Sequence, residues 1–432
     1  MKFYNINNPK ETVSFRQAIL QGAGSNNGLY FPEEIKEKAR DFFNDIDAYT
    51  FPQMATEVLY DFAEADFTRQ ELTDICTRAF NFPIPLVKVN ERIYSLELFH
   101  GPSLAFKDVG ARFLAEVLKK IAEKEGDEIT VLVATSGDTG SAVARSFFNV
   151  EGIRVVLLYP SEKVSKIQEK TLTTMGGNIL SLEVMGTFDD CQTLVKKAFA
   201  DKEAFSGKTL TSANSINVGR LLPQAVYYFW AWHQLNETER EKVVISVPSG
   251  NYGNLSAGLI AWKMGLPVKR FIASSNINKV VPDYLESGNY QPRDAVRTLS
   301  NAMDVGDPSN FVRIREMFND DHQNMKNLIQ SFVASDDQTR EGIKELNTES
   351  NYTADPHGAI GYLGCKNRMD GEETGIFLET AHPAKFKDIV EESIQAKVEL
   401  PDYLKDIQNK PKQSTRMPAD YDKFKKWLME NI

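Results

Sequence analysis

Hydrophobic positions along the chain change their period near residue 90. Before that point Val13 to Gln21, Glu33 to Phe43, Phe51 to Ala63 and Arg69 to Phe80 carry apolar residues at helical spacing between turn signals, which predicts a mostly helical accessory region over residues 1–85. From about residue 93 short β-branched or apolar runs alternate with longer helical patterns: Ile129 to Ala134, Arg154 to Leu158, Ile179 to Val184, Val243 to Val247 and Gly375 to Thr380. Alternation of this kind predicts an α/β fold of βαβ units with mostly parallel open sheets flanked by helices, and it puts function at the carboxyl ends of strands. The polar stretch 285–350 reads as an insertion or linking layer with helical segments such as Asp336 to Asn347, and no chemistry is assigned to it. A surface helix from Ala419 to Glu430 closes the chain in this reading, and no internal repeat suggests a solenoid.

Composition narrows the class. A chain of 432 residues is longer than one core usually supports, so two or three domains are expected. With 42% hydrophobic and 25% charged residues it is an ordinary globular sequence, far from the signature of disorder. Fifty basic against 60 acidic residues leave a net charge of -10, a field that repels phosphate backbones and anionic lipid, so neither nucleic acid nor a membrane is an expected partner. An anionic small substrate must then be captured by local cations and backbone N–H groups. Cys76, Cys191 and Cys365 lie far apart without a CxxC pair, which suits a reducing compartment and offers no metal site. The opening MKFYNINNPKETVSF lacks the pattern of a secretory signal, and no apolar run reaches the ~18 residues needed to span a bilayer, so the cytoplasm is the expected location.

Five segments carry candidate chemistry. In FHGPSLAFKDVGARFLAE, from Phe99 to Glu116, Lys107 follows an apolar Leu104-Ala105-Phe106 and precedes an amphipathic helix. A lone lysine is ordinarily a solvated surface charge. Here the apolar flank and the turn forced by Gly101-Pro102 predict an amine held partly desolvated at a loop-to-helix junction, where its pKa falls and it becomes the nucleophile that a Schiff base requires. Asp108 beside it reads as a helix N-terminal carboxylate. VLVATSGDTGSAVARSF, from Val131 to Phe147, and VVISVPSGNYGNLSAG, from Val243 to Gly258, share one plan of strand, glycine-rich turn and helix. Such junctions offer free N–H groups and a positive dipole end to an anion, although Ser136, Asp138 or Thr139 in the first could simply cap its helix.

In the second junction Ser249-Gly250-Asn251-Tyr252-Gly253-Asn254 permits the close backbone approach that a phosphate cradle needs, yet it is neither a Walker loop nor GxGxxG. TSANSINVGRLLPQ places Asn214 and Arg220 around a helix start, where Arg220 either clamps a carboxylate or phosphate or lies on the surface. GIFLETAHPAKF ends a strand at Thr380, and if Thr380 faces a site, period-two geometry turns Glu379 the other way. His100, His357 and His382 lie beside Gly or Pro without metal-ligand spacing, and structural roles are expected for them.

Taken in order, HGPSLAFKDVGARFLA, ATSGDTGSA, ANSINVGR, PSGNYGN and TAHPAKF resemble the signature segments of bacterial threonine synthases, and VSFRQAILQG with GLYFPEE resembles that family's N-terminal region. SGDTG alone would indicate only the wider fold type II group of pyridoxal-phosphate enzymes; the Lys107 and PSGNYGN segments together are more specific. The resemblance implies a fold type II enzyme with an accessory domain over 1–85 and a catalytic region over 86–432, made of a small α/β part at about 110–205 and a larger remainder. It implies pyridoxal 5'-phosphate carried on Lys107 as an internal aldimine, with the cofactor phosphate on the backbone from Ser249 and Gly250 through Asn251, Tyr252 and Gly253 to Asn254. Thr380 would meet the pyridine nitrogen, and a neutral hydroxyl there would leave that nitrogen unprotonated. Asp138 would lie near the cofactor ring, Ser136, Gly137 and Thr139 near the substrate carboxylate, and Asn214 and Arg220 on the substrate phosphate.

The implied reaction converts O-phospho-L-homoserine and water to L-threonine and phosphate, in a monomer or homodimer. Two rivals remain at this stage: a dehydratase or β-replacing enzyme of the same cofactor class acting on serine or threonine, and a non-catalytic protein that binds a phosphorylated metabolite.

Overall fold

The computed structural model describes residues 1–432 except Ser136 and Ser165. Its strands are, in chain order, β1 (Lys2–Asn5), β2 (Asn8–Ser14), β3 (Tyr30–Pro32), β4 (Leu86–Lys88), β5 (Ile93–Glu97), β6 (Ile129–Ala134), β7 (Ile153–Pro160), β8 (Ile179–Met185), β9 (Thr209–Ser212), β10 (Val243–Pro248), β11 (Arg270–Ser275), β12 (Ile329–Val333), β13 (Thr374–Glu379) and β14 (Thr415–Pro418). Four helices bear on the site: α1 (Lys107–Glu125), α2 (Asp138–Phe147), α3 (Gly253–Lys263) and α4 (Pro356–Arg368).

Two open sheets carry the fold. A six-stranded sheet runs β12-β11-β10-β13-β5-β4, parallel throughout except for the antiparallel edge strand β4. A five-stranded sheet runs β14-β8-β7-β6-β9 and is wholly parallel. Every residue of β6, β10 and β13 is buried, as parallel strands covered by helices on both faces require, which is why these strands read as continuous apolar runs. The smaller sheet draws its strands from 129–212 and then from 415–418, so the chain returns to it near its end.

The N-terminal region is less helical than its periodicity predicts. β1, β2 and β3 form a small antiparallel sheet in the order β2-β1-β3. Phe3 and Asn5 are buried on one side of β1, a period-two signal too short to stand out beside the longer helical patterns. The expected helix Glu33 to Phe43 shrinks to Arg40–Asn44, because the Lys38 N–H donates to the Met264 carbonyl (2.8 Å) and its side chain pairs with Asp61, so tertiary partners replace a helical turn. The expected helices at 51–63 and 69–79 form and open on capping boxes at Thr50 and Thr68.

The stretch 285–350 is no mere insertion. It contributes the edge strand β12 and a non-repetitive segment over 289–310 that lies along the central cleft. A buried polar network fixes that segment to the end of β11. Asn276 Nδ2 donates to Thr298 Oγ1 (2.8 Å), Thr298 Oγ1 donates to Asp304 Oδ1 (2.7 Å), and Asn278 Nδ2 donates to the Val296 carbonyl (2.8 Å). The closing helix spans Tyr421–Asn431.

One ion pair reaches across β10 to tie β11 to the start of β13 and to a covering helix. Glu373, just before β13, accepts from Arg270 of β11 (2.6 Å) and from the Asp370 N–H (2.8 Å), while the same guanidinium donates to the Arg368 carbonyl at the end of α4 (2.7 Å). Removing the guanidinium leaves a carboxylate that is 1% exposed with only the half-exposed Lys269 as a charged partner. Arg270→Met is expected to lower the unfolding free energy by about 3 kcal/mol in a urea titration; an unchanged midpoint would show that Lys269 alone suffices.

Candidate active site

Loops leaving the carboxyl ends of strands from both sheets meet at one cleft of about 2540 Å³. The first joins β5 to α1. Leu104 adopts φ 58, a left-handed conformation costly for a branched side chain, and its N–H closes the turn on the Gly101 carbonyl (3.0 Å). Asp108, wholly buried, accepts the Ser103 N–H (2.8 Å); a Cβ on Gly101 would stand 2.4 Å from that carboxylate, so only glycine fits. The loop is stitched to the residues after β13: Phe106 N–H donates to the Thr380 carbonyl (2.9 Å), His382 N–H to the Leu104 carbonyl (3.0 Å), and Ala105 bridges Ala381.

Lys107 therefore begins α1 at a fixed place on the cleft wall, its side chain 19% exposed. Its Nζ lies 3.8 Å from Asp138 Oδ2 and 5.5 Å from the Phe106 ring centroid. Burial holds its pKa below the ordinary lysine range against the pull of Asp138, and the nearby charges of Lys385 and Arg220 act in the same direction as burial. Burial acts to raise the Asp138 pKa, but the ammonium groups of Lys385 and Lys107 outweigh it and hold that carboxyl well below its usual range.

The second loop joins β6 to α2. Thr135 Oγ1 accepts the N–H groups of Gly137 (3.0 Å) and Gly140 (2.8 Å), and Gly137 takes φ 145, a backbone conformation that residues with a side chain rarely adopt. Asp138 and Thr139 line the cleft at the head of α2, whereas Gly137 shapes the turn without lining it. Ser136, expected beside them, lies outside the described residues.

The third loop joins β10 to α3. Its side chains brace it from behind: Asn251 Nδ2 donates to Ser215 Oγ (2.7 Å), Asn251 Oδ1 accepts the Ser309 N–H (2.6 Å), the Tyr252 hydroxyl pairs with Ser275 Oγ (3.0 Å), and Asn254 Nδ2 donates to the Pro248 carbonyl (2.6 Å). Tyr252 itself sits at φ 60. A Cβ on Gly250 would come within 2.7 Å of the Ala302 carbonyl and of Met303 Cα, backbone that cannot move aside. The N–H groups of Gly250, Asn251 and Tyr252 have no acceptor among the described residues, and Gly250 through Asn254 line the cleft. Ser249 does not belong with them. Its N–H goes to the Ser274 carbonyl and its hydroxyl to the Val247 carbonyl (2.8 Å each), so it anchors the loop without lining the cleft.

Asn214 and Arg220 reach the same cleft. Asn214 Nδ2 donates to the Ala134 carbonyl (3.2 Å), leaving its Oδ1 buried and without a partner among the described residues. Arg220 is 3% exposed; one guanidinium nitrogen serves the Ala213 carbonyl, Nε has no partner among the described residues, and burial lowers its pKa to about 10. A surface arginine is thereby excluded.

Thr380 lines the cleft just past β13, and Glu379 does point away, as the strand period requires. Glu379 is fully buried, accepts the Asp355 N–H (2.6 Å), and occupies the space where Gly358 lacks a side chain. Burial, reinforced by Asp355, raises its pKa well above the carboxylate range.

Asp355 caps α4 and holds His357 by Nδ1, and His357 lines the cleft with its Nε2 accepting the Ala302 N–H (3.3 Å). No spacing in the chain brings His357, Asp355 or Lys385 here, since each is remote from Lys107. The HP turn after a strand rich in candidates was the available signal. Among the described residues no cluster of metal-ligating side chains occurs, and no helix is long and apolar enough to cross a membrane.

Comparison with known proteins extends the geometry. A family model described as pyridoxal-phosphate dependent enzyme matches residues 79–378, one for the threonine synthase N terminus matches 2–80, and one for the threonine synthase C-terminal region matches 358–428. The chain is 46% identical to the threonine synthase of Haemophilus influenzae over 432 residues, covering all of both chains. It superposes on the crystal structure of Escherichia coli threonine synthase with a TM-score of 0.94 at 42% identity, covering all of both chains. Against the pyridoxal-phosphate-bound threonine synthase of Brucella melitensis the TM-score is 0.92 at 31% identity, with 100% of this chain and 99% of that one covered.

Burial raises the Asp108 pKa from 3.8 to about 6, so the folded state binds this proton more tightly than the unfolded chain does. The stabilisation it brings is complete below the unfolded pKa and is lost as pH rises through the folded one. Asp108→Asn, which retains an acceptor for the Ser103 N–H, should therefore gain stability relative to the parent as pH rises from 3.8 to about 6. Thermal unfolding across that range checks this, and a pH-independent difference would count against a protonated Asp108.

Proposed function

Because the chain belongs to the threonine synthase family of pyridoxal-phosphate-dependent enzymes, we propose that Lys107 carries the cofactor and that Arg220 and Asn214 grip the phosphate of the substrate. The reaction is that of the family: O-phospho-L-homoserine and water give L-threonine and phosphate, with pyridoxal phosphate as cofactor. The observation that carries the reading is a buried amine of lowered pKa sharing one cleft with a glycine turn whose N–H groups are free.

The residues present fit the cofactor. Its aldehyde needs an amine sheltered from water, which Lys107 supplies. Its phosphate needs backbone donors at a helix entrance, which the turn from Gly250 to Asn254 supplies at the head of α3. Its pyridine nitrogen needs one partner across the ring, for which the Thr380 hydroxyl is the candidate, Glu379 being turned away. Asp138 would lie beside the ring, and Thr139, with Gly137 shaping the turn, would receive the substrate carboxylate at the head of α2. When bound, the cofactor supplies an electron sink for negative charge that develops along the substrate's carbon chain.

The chain's own residues do the rest. The neutral Lys107 amine accepts and returns protons at the α and β carbons of the substrate, a base whose strength burial has brought nearer to neutral pH. Arg220, with an unpartnered Nε, and Asn214, with an unpartnered Oδ1, orient the phosphate that departs from the γ carbon; the first donates to a phosphate oxygen and the second can accept from a protonated one. Water then adds at the β carbon. A dehydratase acting on serine would have no use for this second anion grip. On this reading the enzyme works in the cytoplasm as a monomer or homodimer on a small-molecule substrate.

Borohydride reduction of the cofactor-supplied protein should fix one adduct at Lys107, and Lys107→Ala should lose it together with about three orders of magnitude or more of turnover. Near-normal turnover in that folded variant would refute the assignment. Arg220→Ala should lower kcat/KM for phosphohomoserine about 10- to 100-fold, the worth of a charge-assisted contact. Unchanged kinetics, or ammonia release from serine exceeding phosphate release from phosphohomoserine, would remove the phosphate-grip reading.

A further inference from the structure

A second lysine is buried within reach of the first. Lys385 stands in the turn of residues Pro383–Phe386 that follows β13, and its side chain is 4% exposed. Its Nζ lies 2.7 Å from Asp138 Oδ1 and donates to the Ser103 carbonyl (3.2 Å). Ser103 belongs to the loop that presents Lys107, and Asp138 opens α2, so this one ammonium spans the strand end carrying Thr380, the lysine loop and the head of α2.

We propose that Lys385 is a positioning residue for Lys107: by neutralising Asp138 and fixing it in place, it leaves the Lys107 amine facing a carboxylate whose charge is already claimed. The argument is one of charge balance. Asp138 is 8% exposed and can neutralise one ammonium, yet two amines face it, at 2.7 Å and 3.8 Å. Keeping both protonated would bury an uncompensated positive charge, with Arg220 adding to it, which is costly where water is scarce. Lys385 has the closer contact and a carbonyl to receive a second N–H. Lys107 has neither, so Lys107 is the amine that gives up its proton.

The other charged groups near Lys107 do not reverse this balance. Asp138 at the head of α2 and Asp355 before α4 favour the ammonium, while Lys385 and Arg220 oppose it. The acid of that second pair, Asp355, is already engaged by His357 Nδ1 and the Ala381 N–H (3.2 Å).

The inference rests on Lys107 being the cofactor-carrying amine, but its test uses cofactor-free protein and so stands apart from the borohydride experiment. Competitive acylation with trace acetic anhydride, quantified by peptide mass spectrometry from neutral to alkaline pH, reads the proton affinity of Lys107 against the exposed Lys405 in the same sample. In the parent, Lys107 should titrate below Lys405. In Lys385→Met the Asp138 charge falls to Lys107 alone, its titration should move upward, and its labelling relative to Lys405 near neutral pH should drop about tenfold. Lys385→Arg, which keeps the charge, should stay close to the parent.

An unchanged Lys107 profile in folded Lys385→Met overturns the proposal. Should that variant fail to fold, Lys385→Gln retains the donor to Ser103 and reads the same quantity. Failure of both to fold, with Lys385→Arg folding, would make Lys385 a structural pair only and overturn the proposal equally. A missing borohydride adduct with the labelling shift present would sink the functional reading and leave this charge relation intact.

Discussion

An amine withdrawn from water prefers to be uncharged, and the site is organised around that preference. On the proposed reading a carbonyl cofactor needs Lys107 as a free base, and no single neighbour makes it one. The stitched loop from Gly101 to Phe106 carries it off the surface, the strained Leu104 shapes the turn just ahead of it, and its amine shares the Asp138 carboxylate with that of Lys385. A left-handed leucine persists only where surrounding contacts over-determine the backbone, and the bonds to Thr380 and His382 provide that determination.

Much of this was legible in the residues, for identifiable reasons. The strands β6, β10 and β13 are buried on both faces, so they read as unbroken apolar runs and their ends could be placed within a residue. The glycines at 101, 137 and 250 mark points where a side chain would strike a carboxylate, an amide or the backbone, a constraint that shows in sequence because no other residue satisfies it. Arg220 was ambiguous, since burial is what separates a clamp from a surface charge and spacing does not report burial.

The parts that were hidden share one cause. His357, in the first turn of α4, lines the cleft and Lys385 packs behind it on Asp138, each more than two hundred residues from Lys107, and the segment 289–310 is held at the cleft by side-chain amides instead of a repeating pattern. The N-terminal sheet escaped because its buried alternation spans only a few residues. In the third loop the side chains of Ser249 and Asn251 turned out to be scaffolding, leaving the main chain to face the cleft, a division of labour that residue type alone cannot convey.

The topology also orders events in time. β13 lies between β10 and β5, so the middle position of the large sheet is filled by residues 374–379, and β14 at 415–418 closes the edge of the smaller sheet beside β8. A growing polypeptide emerges from the ribosome with β5 made early and its neighbour still unsynthesised, exposing bare strand edges for most of translation. The loop that presents Lys107 has nothing to be stitched to until Thr380 appears, so one of the first elements of the site to be made is among the last to acquire its shape.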